Sequence, residues 1–250
     1  MIDAVWDAVR VRSEFVSILV VVAFASLGAW AWSRNDEQRR TGLDSLIVSS
    51  ALVAVIAGRL AWVLVESPRL IRLPLDLVQI QSGIDMPVAI LAFVGMALWR
   101  GHRDRDPLTF ASVALPAGLA IYAALCLFRG DCYGATGPAP LAVPFPQFHE
   151  NRLPIALYEA VGLGVLAAVL ANNTSLRPRS RLFAALASTA LIEYATEWGR
   201  VASLSRFTDG WRLGWLVLAL VGLALVVVAE YGGRSQKRPG TPARRRKWSF

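Results

Sequence analysis

Long apolar runs, separated by short polar segments, make up most of this chain. Seven runs stand out: Phe15–Trp32, Leu43–Val65, Ile84–Trp99, Leu108–Phe128, Leu153–Ala171, Leu182–Trp198 and Trp211–Ala229. Each is close to the roughly 20 residues that cross a bilayer core, the third and sixth being the shortest. A helix in a soluble protein keeps a polar face, and these runs keep none. The pattern predicts an all-α integral membrane protein with about seven transmembrane helices.

Composition agrees with lipid as the solvent. Apolar residues are 55% of the chain and charged residues only 18%. The net charge of +8 changes the picture through its placement. Sixteen basic residues follow the first, third, fifth and seventh runs, among them Arg34, Arg100, Arg177 and the Arg244–Lys247 cluster; nine lie on the other side. Positive charge stays in the cytoplasm, which predicts a cytoplasmic C-terminus and an N-terminus outside. Asp3, Asp7 and Glu14 outweigh Arg10 and Arg12 ahead of the first run. It lacks the positive flank of a cleaved signal and reads as a retained helix. Residues 1–232 then form one transmembrane domain, and 233–250 a basic, disordered cytoplasmic tail that can touch anionic headgroups. The tail lacks interleaved aromatics, so nucleic acid is not an expected partner.

Candidate chemistry comes from ionisable residues at membrane depth, each costing about 2.5–3.5 kcal/mol to insert unless it faces a partner or a cavity. Arg59 lies deep in the second run and Glu159 seven residues into the fifth. Glu193 and Glu197 are four apart in the sixth, on one helical face. Asp85 opens the third. One reading is an internal ion pair, Arg59 with Glu159 or Glu193. The other is a polar pocket for a lipid headgroup. Glu197 and Arg200 read as a pair snorkelling to the interface. The stretch CLFRGDCYG (126–134) ends the fourth run with Arg129, Asp131 and two glycines. Gly130 and Gly134 bracket a turn whose amides can face an anion. Cys126 and Cys132 fall on the oxidising side, but their spacing suits no helical turn, so a disulfide stays open. His102 is cytoplasmic and His149 the lone outer imidazole; neither a metal nor a cofactor is expected.

In order and topology these segments resemble the bacterial prolipoprotein diacylglyceryl transferases. AGRLAWVL (57–64) is similar to the family's Gly-Ala-Arg-Leu-x-Tyr-Val, with Arg59 retained. LAIYAALCLFRGDCYG (119–134) resembles the signature that ends Asn-Gly-Glu-x-Tyr-Gly, matching at Gly130, Tyr133 and Gly134, with Asp131 for glutamate. RLPIALYEA (152–160) resembles Arg-His-Pro-x-Gln-Leu-Tyr-Glu-Ala and keeps Tyr158 and Glu159; LIEYATEWGR (191–200) keeps Glu193. IQSGIDMPVAIL (80–91) has Pro87 where the family has histidine, and Ala123 stands in place of the signature arginine.

The resemblance implies a multi-pass protein of the bacterial inner (plasma) membrane. It implies phosphatidylglycerol or another anionic phospholipid as ligand and prolipoprotein signal peptides as partners. The reaction moves a diacylglyceryl group to a lipoprotein cysteine. Glu159, Asp131 and His149 are then the catalytic candidates. Arg59, Arg129, Gly130, Gly134, Tyr158 and Glu193 are the headgroup-binding ones. Pro87 and Ala123 keep open a noncatalytic member with the fold and a lipid pocket. A small transporter or receptor is the remaining alternative, though no internal repeat supports one.

Overall fold

A computed structural model describes residues 2–33, 36–66, 84–101, 106–129, 132–144, 149–173, 175–200 and 209–235. The described residues contain seven helices: α1 Ile2–Trp32, α2 Glu37–Glu66, α3 Met86–Arg100, α4 Asp106–Arg129, α5 Ile155–Asn172, α6 Pro178–Glu197 and α7 Asp209–Ser235. Each expected apolar run falls largely within one of them, with Ile84–Asp85, Leu153–Pro154 and Trp198 lying just outside. Between α4 and α5 two short strands, β1 Val143–Pro144 and β2 Asn151–Arg152, pair antiparallel. The expected tail beyond residue 235 lies outside the described residues; its first residues, 233–235, continue α7 as helix.

Among the described residues, four helical segments are long and apolar enough to cross a membrane: Thr41–Leu64, Asp106–Leu127, Ile155–Asn172 and Leu213–Glu230. Val16–Trp32 and Met86–Arg100 are apolar but shorter. Large apolar side chains on these helices face outward, including Leu27, Leu52, Val165 and Val228. Several polar ones, Ser112, Glu159, Thr189 and Glu197 among them, are buried. That distribution suits a lipid surround, where exposed apolar groups carry no penalty and polar groups seek the interior.

α6 is central. It packs most extensively on α7 and also on α4, while α5 lies against α4 and α2 against α3. Leu108, Leu115, Leu182, Leu186 and Trp215 form the core where these helices meet. A Cβ at Gly222 of α7 would stand 3.0 Å from the Ala187 Cβ and 3.1 Å from its backbone, so glycine lets the two helix backbones approach closely. α6 begins a turn earlier than its apolar run. Pro178, with φ preset and no amide to satisfy, opens it and draws Arg179 and Arg181 into the first turns rather than leaving them in a loop.

Candidate functional site

One end of the bundle carries the C-terminal ends of α4 and α6 and the N-terminal end of α5. α5 starts after Pro154, and its Glu159 is buried one turn in. α6 supplies Glu193 and, as its last residue, Glu197. The chain then turns back: the Gly199 amide bonds the Thr196 carbonyl at 3.0 Å, and the Arg200 amide bonds the Glu197 carbonyl at 3.2 Å. That reversal aims the Arg200 guanidinium at all three carboxylates. Arg200 Nη2 donates to Glu159 Oε1 in a short hydrogen bond. Arg200 Nε lies 3.1 Å from Glu197 Oε1, and Nη2 lies 4.0 Å from Glu193 Oε2. Burial works against the charge on Arg200. The carboxylates of Glu159, Glu197 and Glu193 outweigh it and hold the pKa above arginine's ordinary value.

Arg200 is fixed from the other side by the end of the polar knot. Gly134 forms an antiparallel bridge with Arg200, and Thr136 forms one with Arg152. The Ala135 amide bonds the Gly199 carbonyl at 2.8 Å, and the Gly134 amide bonds the Leu153 carbonyl at 2.7 Å. Residues 134–136 thus run between the two segments that carry Arg200 and lead into Glu159. No side chain fits at Gly134. A Cβ there would stand 2.5 Å from the Gly199 carbonyl oxygen and 2.6 Å from Ile155 Cγ1. Arg152 reinforces the lacing, with its guanidinium 5.1 Å from the Tyr133 ring and Nη1 3.4 Å from the Gly134 carbonyl.

Cys126 and Cys132 form a disulfide, with Cα atoms 5.7 Å apart. α4 ends at Arg129, so Cys132 lies beyond the helix and the six-residue spacing need not fit a helical turn. Reduction is expected to release the start of the 132–136 segment. Loop-closure entropy puts the loss near 2 kcal/mol, read as a lower unfolding temperature with a reductant present.

The remaining sequence candidates are spread over this end. Tyr158 donates a short hydrogen bond to the Leu141 carbonyl, tying α5 to the turn ahead of β1. His149 is exposed in the loop before β2. Arg59 is buried on α2, with its guanidinium 4.9 Å from the Trp62 ring. Beside it, the Asp85 amide bonds the Gly58 carbonyl at 3.0 Å, and the Asp85 carboxylate caps α3 through the Val88 amide. Gly130, Asp131 and the Arg129 side chain lie outside the described residues.

The expected snorkelling of Glu197 does not occur: it is 1% exposed, because the end of α6 is covered by the 134–136 segment and Arg200 turns inward. Glu159 and Glu193 lie beside Arg200, not beside the Arg59 expected as their partner. Pro87 and Ala123 are buried, and their side chains bring no polar group to the site.

A family model described as prolipoprotein diacylglyceryl transferase matches residues 13–229. Relatives called phosphatidylglycerol–prolipoprotein diacylglyceryl transferase are similar at low identity. One from Wolbachia sp. subsp. Drosophila simulans (strain wRi) is 27% identical over 177 residues, 66% of this chain and 67% of the relative. One from Zymomonas mobilis is 25% identical over 205 residues, 75% and 72% of the two chains. One from Bordetella bronchiseptica is 25% identical over 180 residues, covering 67% and 69%.

Proposed function

Since the chain belongs to the prolipoprotein diacylglyceryl transferase family, we propose that it transfers the diacylglyceryl group of phosphatidylglycerol to the thiol of a lipoprotein signal-peptide cysteine. The observation that carries this reading is the Arg200 guanidinium set among Glu159, Glu193 and Glu197. The cysteine sulfur attacks the diacylglyceryl carbon, the bond from that carbon to the phosphate oxygen breaks, and glycerol phosphate leaves. Two tasks fall to the protein: accepting the thiol proton, and stabilising charge on the departing phosphate. Three carboxylates around one cation leave acceptor capacity. Glu159, buried and bonded to Arg200, takes the proton. Arg200, with 26% of its side chain exposed, keeps a face for the phosphate. It thereby supplies the cation that Ala123 cannot. Arg59, Arg129 and the amide at Gly130 complete the headgroup site in this reading, with Asp131 a second candidate proton acceptor; the Gly134 amide, expected to face the anion, is already bonded to the Leu153 carbonyl.

An almost wholly apolar cavity of about 160 Å³ lies among α1, α2, α3 and α4, lined by Val22, Ala54, Ile90, Phe93 and Tyr122 among others. It suits an acyl chain of the lipid. All seven helices span the inner membrane in this reading, with the N-terminus outside. Reporter fusions near residues 75, 140 and 206 should report the outer side, and those near 103, 179 and 240 the cytoplasm; a cytoplasmic signal near 140 overturns the orientation.

The direct test is release of glycerol phosphate from phosphatidylglycerol by purified protein with a lipobox peptide. No release, where an authentic family member turns over, would leave a noncatalytic lipid-binding protein. Glu159→Gln is expected to lower turnover by about 10²–10⁴-fold, while His149→Ala leaves it near wild type. The reverse pattern would make the exposed histidine the proton acceptor.

A further inference from the structure

We infer that the N-terminal end of α6 binds a phosphate-bearing anion held by Arg181, at the end of the bundle away from Arg200. The 20 residues of α6 separate the two ends by about 30 Å. The inference does not depend on the transferase reading.

Three features coincide there. Arg177, at the N-cap, has extended backbone angles and makes no side-chain cap. Pro178 has no amide, and Arg181 is the first residue whose amide reaches back one turn, to the Arg177 carbonyl at 2.8 Å. Helix geometry leaves the amides of Arg179 and Ser180 at the open end. Arg181 is 5% exposed, and its Nε and Nη2 are buried without a hydrogen-bond partner. Ser180 is fully buried, and its hydroxyl is likewise unpartnered. Side chains on a helix lean toward its N-terminus, so the Arg181 guanidinium projects over the opening turn where the amides are.

A buried guanidinium without an acceptor is costly, and a tetrahedral oxyanion repairs the deficit. It accepts two bonds from the guanidinium fork and others from the amides and the serine hydroxyl. The helix dipole favours the same charge. Glu230 of α7 lies at this end and is already engaged: it accepts the Arg177 amide at 3.3 Å and lies 3.9 Å from the Arg177 Nε. Arg181 makes no ion pair with any described residue. Phosphate esters at this depth come from two sources, the headgroup of an anionic phospholipid or a small phosphate from solution.

The test uses the full chain in phosphatidylcholine nanodiscs. Phosphatidic acid retention is measured by native mass spectrometry, and inorganic phosphate binding by its effect on unfolding temperature. Wild type is expected to bind one or the other saturably. Arg181→Gln should weaken that binding by about tenfold or more, with Arg181→Lys in between. Binding of phosphatidic acid alone assigns the site to lipid; competition by free phosphate assigns it to a small anion. If Arg181→Gln does not fold, Ser180→Ala and Arg181→Lys read the same affinity. Binding unchanged in all three variants overturns the inference. So does an Arg181→Met protein that is more stable than wild type and equally responsive to both probes. Strong coupling between Arg181→Met and Glu230→Gln without any anion response would mean an internal pair instead, and would also overturn it.

Discussion

Arg200→Ala is expected to lower glycerol phosphate release by at least about 10²-fold and to destabilise the protein by about 3–5 kcal/mol. Both effects come from one arrangement. Glu159 and Glu197 are nearly inaccessible, and Arg200 is the cation described beside them and Glu193. Without it, buried carboxylates must take up protons or remain charged at high cost. The two effects separate in a double variant. Arg200→Ala with Glu159→Gln removes a negative charge as well as the cation, so unfolding temperature should partly recover while turnover does not. A single Arg200→Ala protein that still turns over normally would show that the cluster is structural and the chemistry lies elsewhere.

The second large effect is expected at Gly134. The methyl of alanine would meet the Gly199 carbonyl oxygen at 2.5 Å and the Leu153 Cβ at 3.0 Å. A carbonyl that is itself hydrogen-bonded to the Ala135 amide cannot easily retreat. Gly134→Ala should therefore cost about 1–3 kcal/mol. It should also shift the segment carrying Arg200. A displacement of about 1 Å at a reacting group can cost about 10²-fold in rate. Gly164→Ala on α5 is the control, since a methyl there meets nothing within 4 Å. Equal unfolding temperatures for the two variants would count against the close packing at Gly134.

The contrast between these residues shows what a sequence discloses in this fold. The helices were legible because lipid demands long apolar segments whose backbone bonds close within themselves. Glu159 and Glu193 were legible for the converse reason: a carboxylate inside such a segment stands out against its neighbours. Arg200 is less legible: the sequence offers it as one of several arginines able to supply a cation and, beside Glu197, as a residue at the interface, with nothing to set it above Arg59 or Arg129. It follows the end of α6, where an arginine is unremarkable, and its role depends on a bridge to Gly134, which is distant in the chain. The Cys126–Cys132 bond stays open in the sequence because a spacing of six fits no helical turn, and it takes the end of α4 at Arg129 to free Cys132 from that limit. Arg181 looked like one more positive charge in a cytoplasmic loop, and only the packing of α6 shows that it is buried.

The disulfide also bears on when this protein can finish folding. Its cysteines are six residues apart, so the ring can close as soon as the end of α4 emerges and before α5, α6 and α7 have been made. With the proposed orientation, closure needs an oxidant on the far side of the membrane. The knot is then shaped early and waits for the segment at Gly199 and Arg200, which is synthesised last among its partners. Expression in a host lacking extracytoplasmic thiol oxidation would yield inserted helices whose last assembly step lacks a preformed dock.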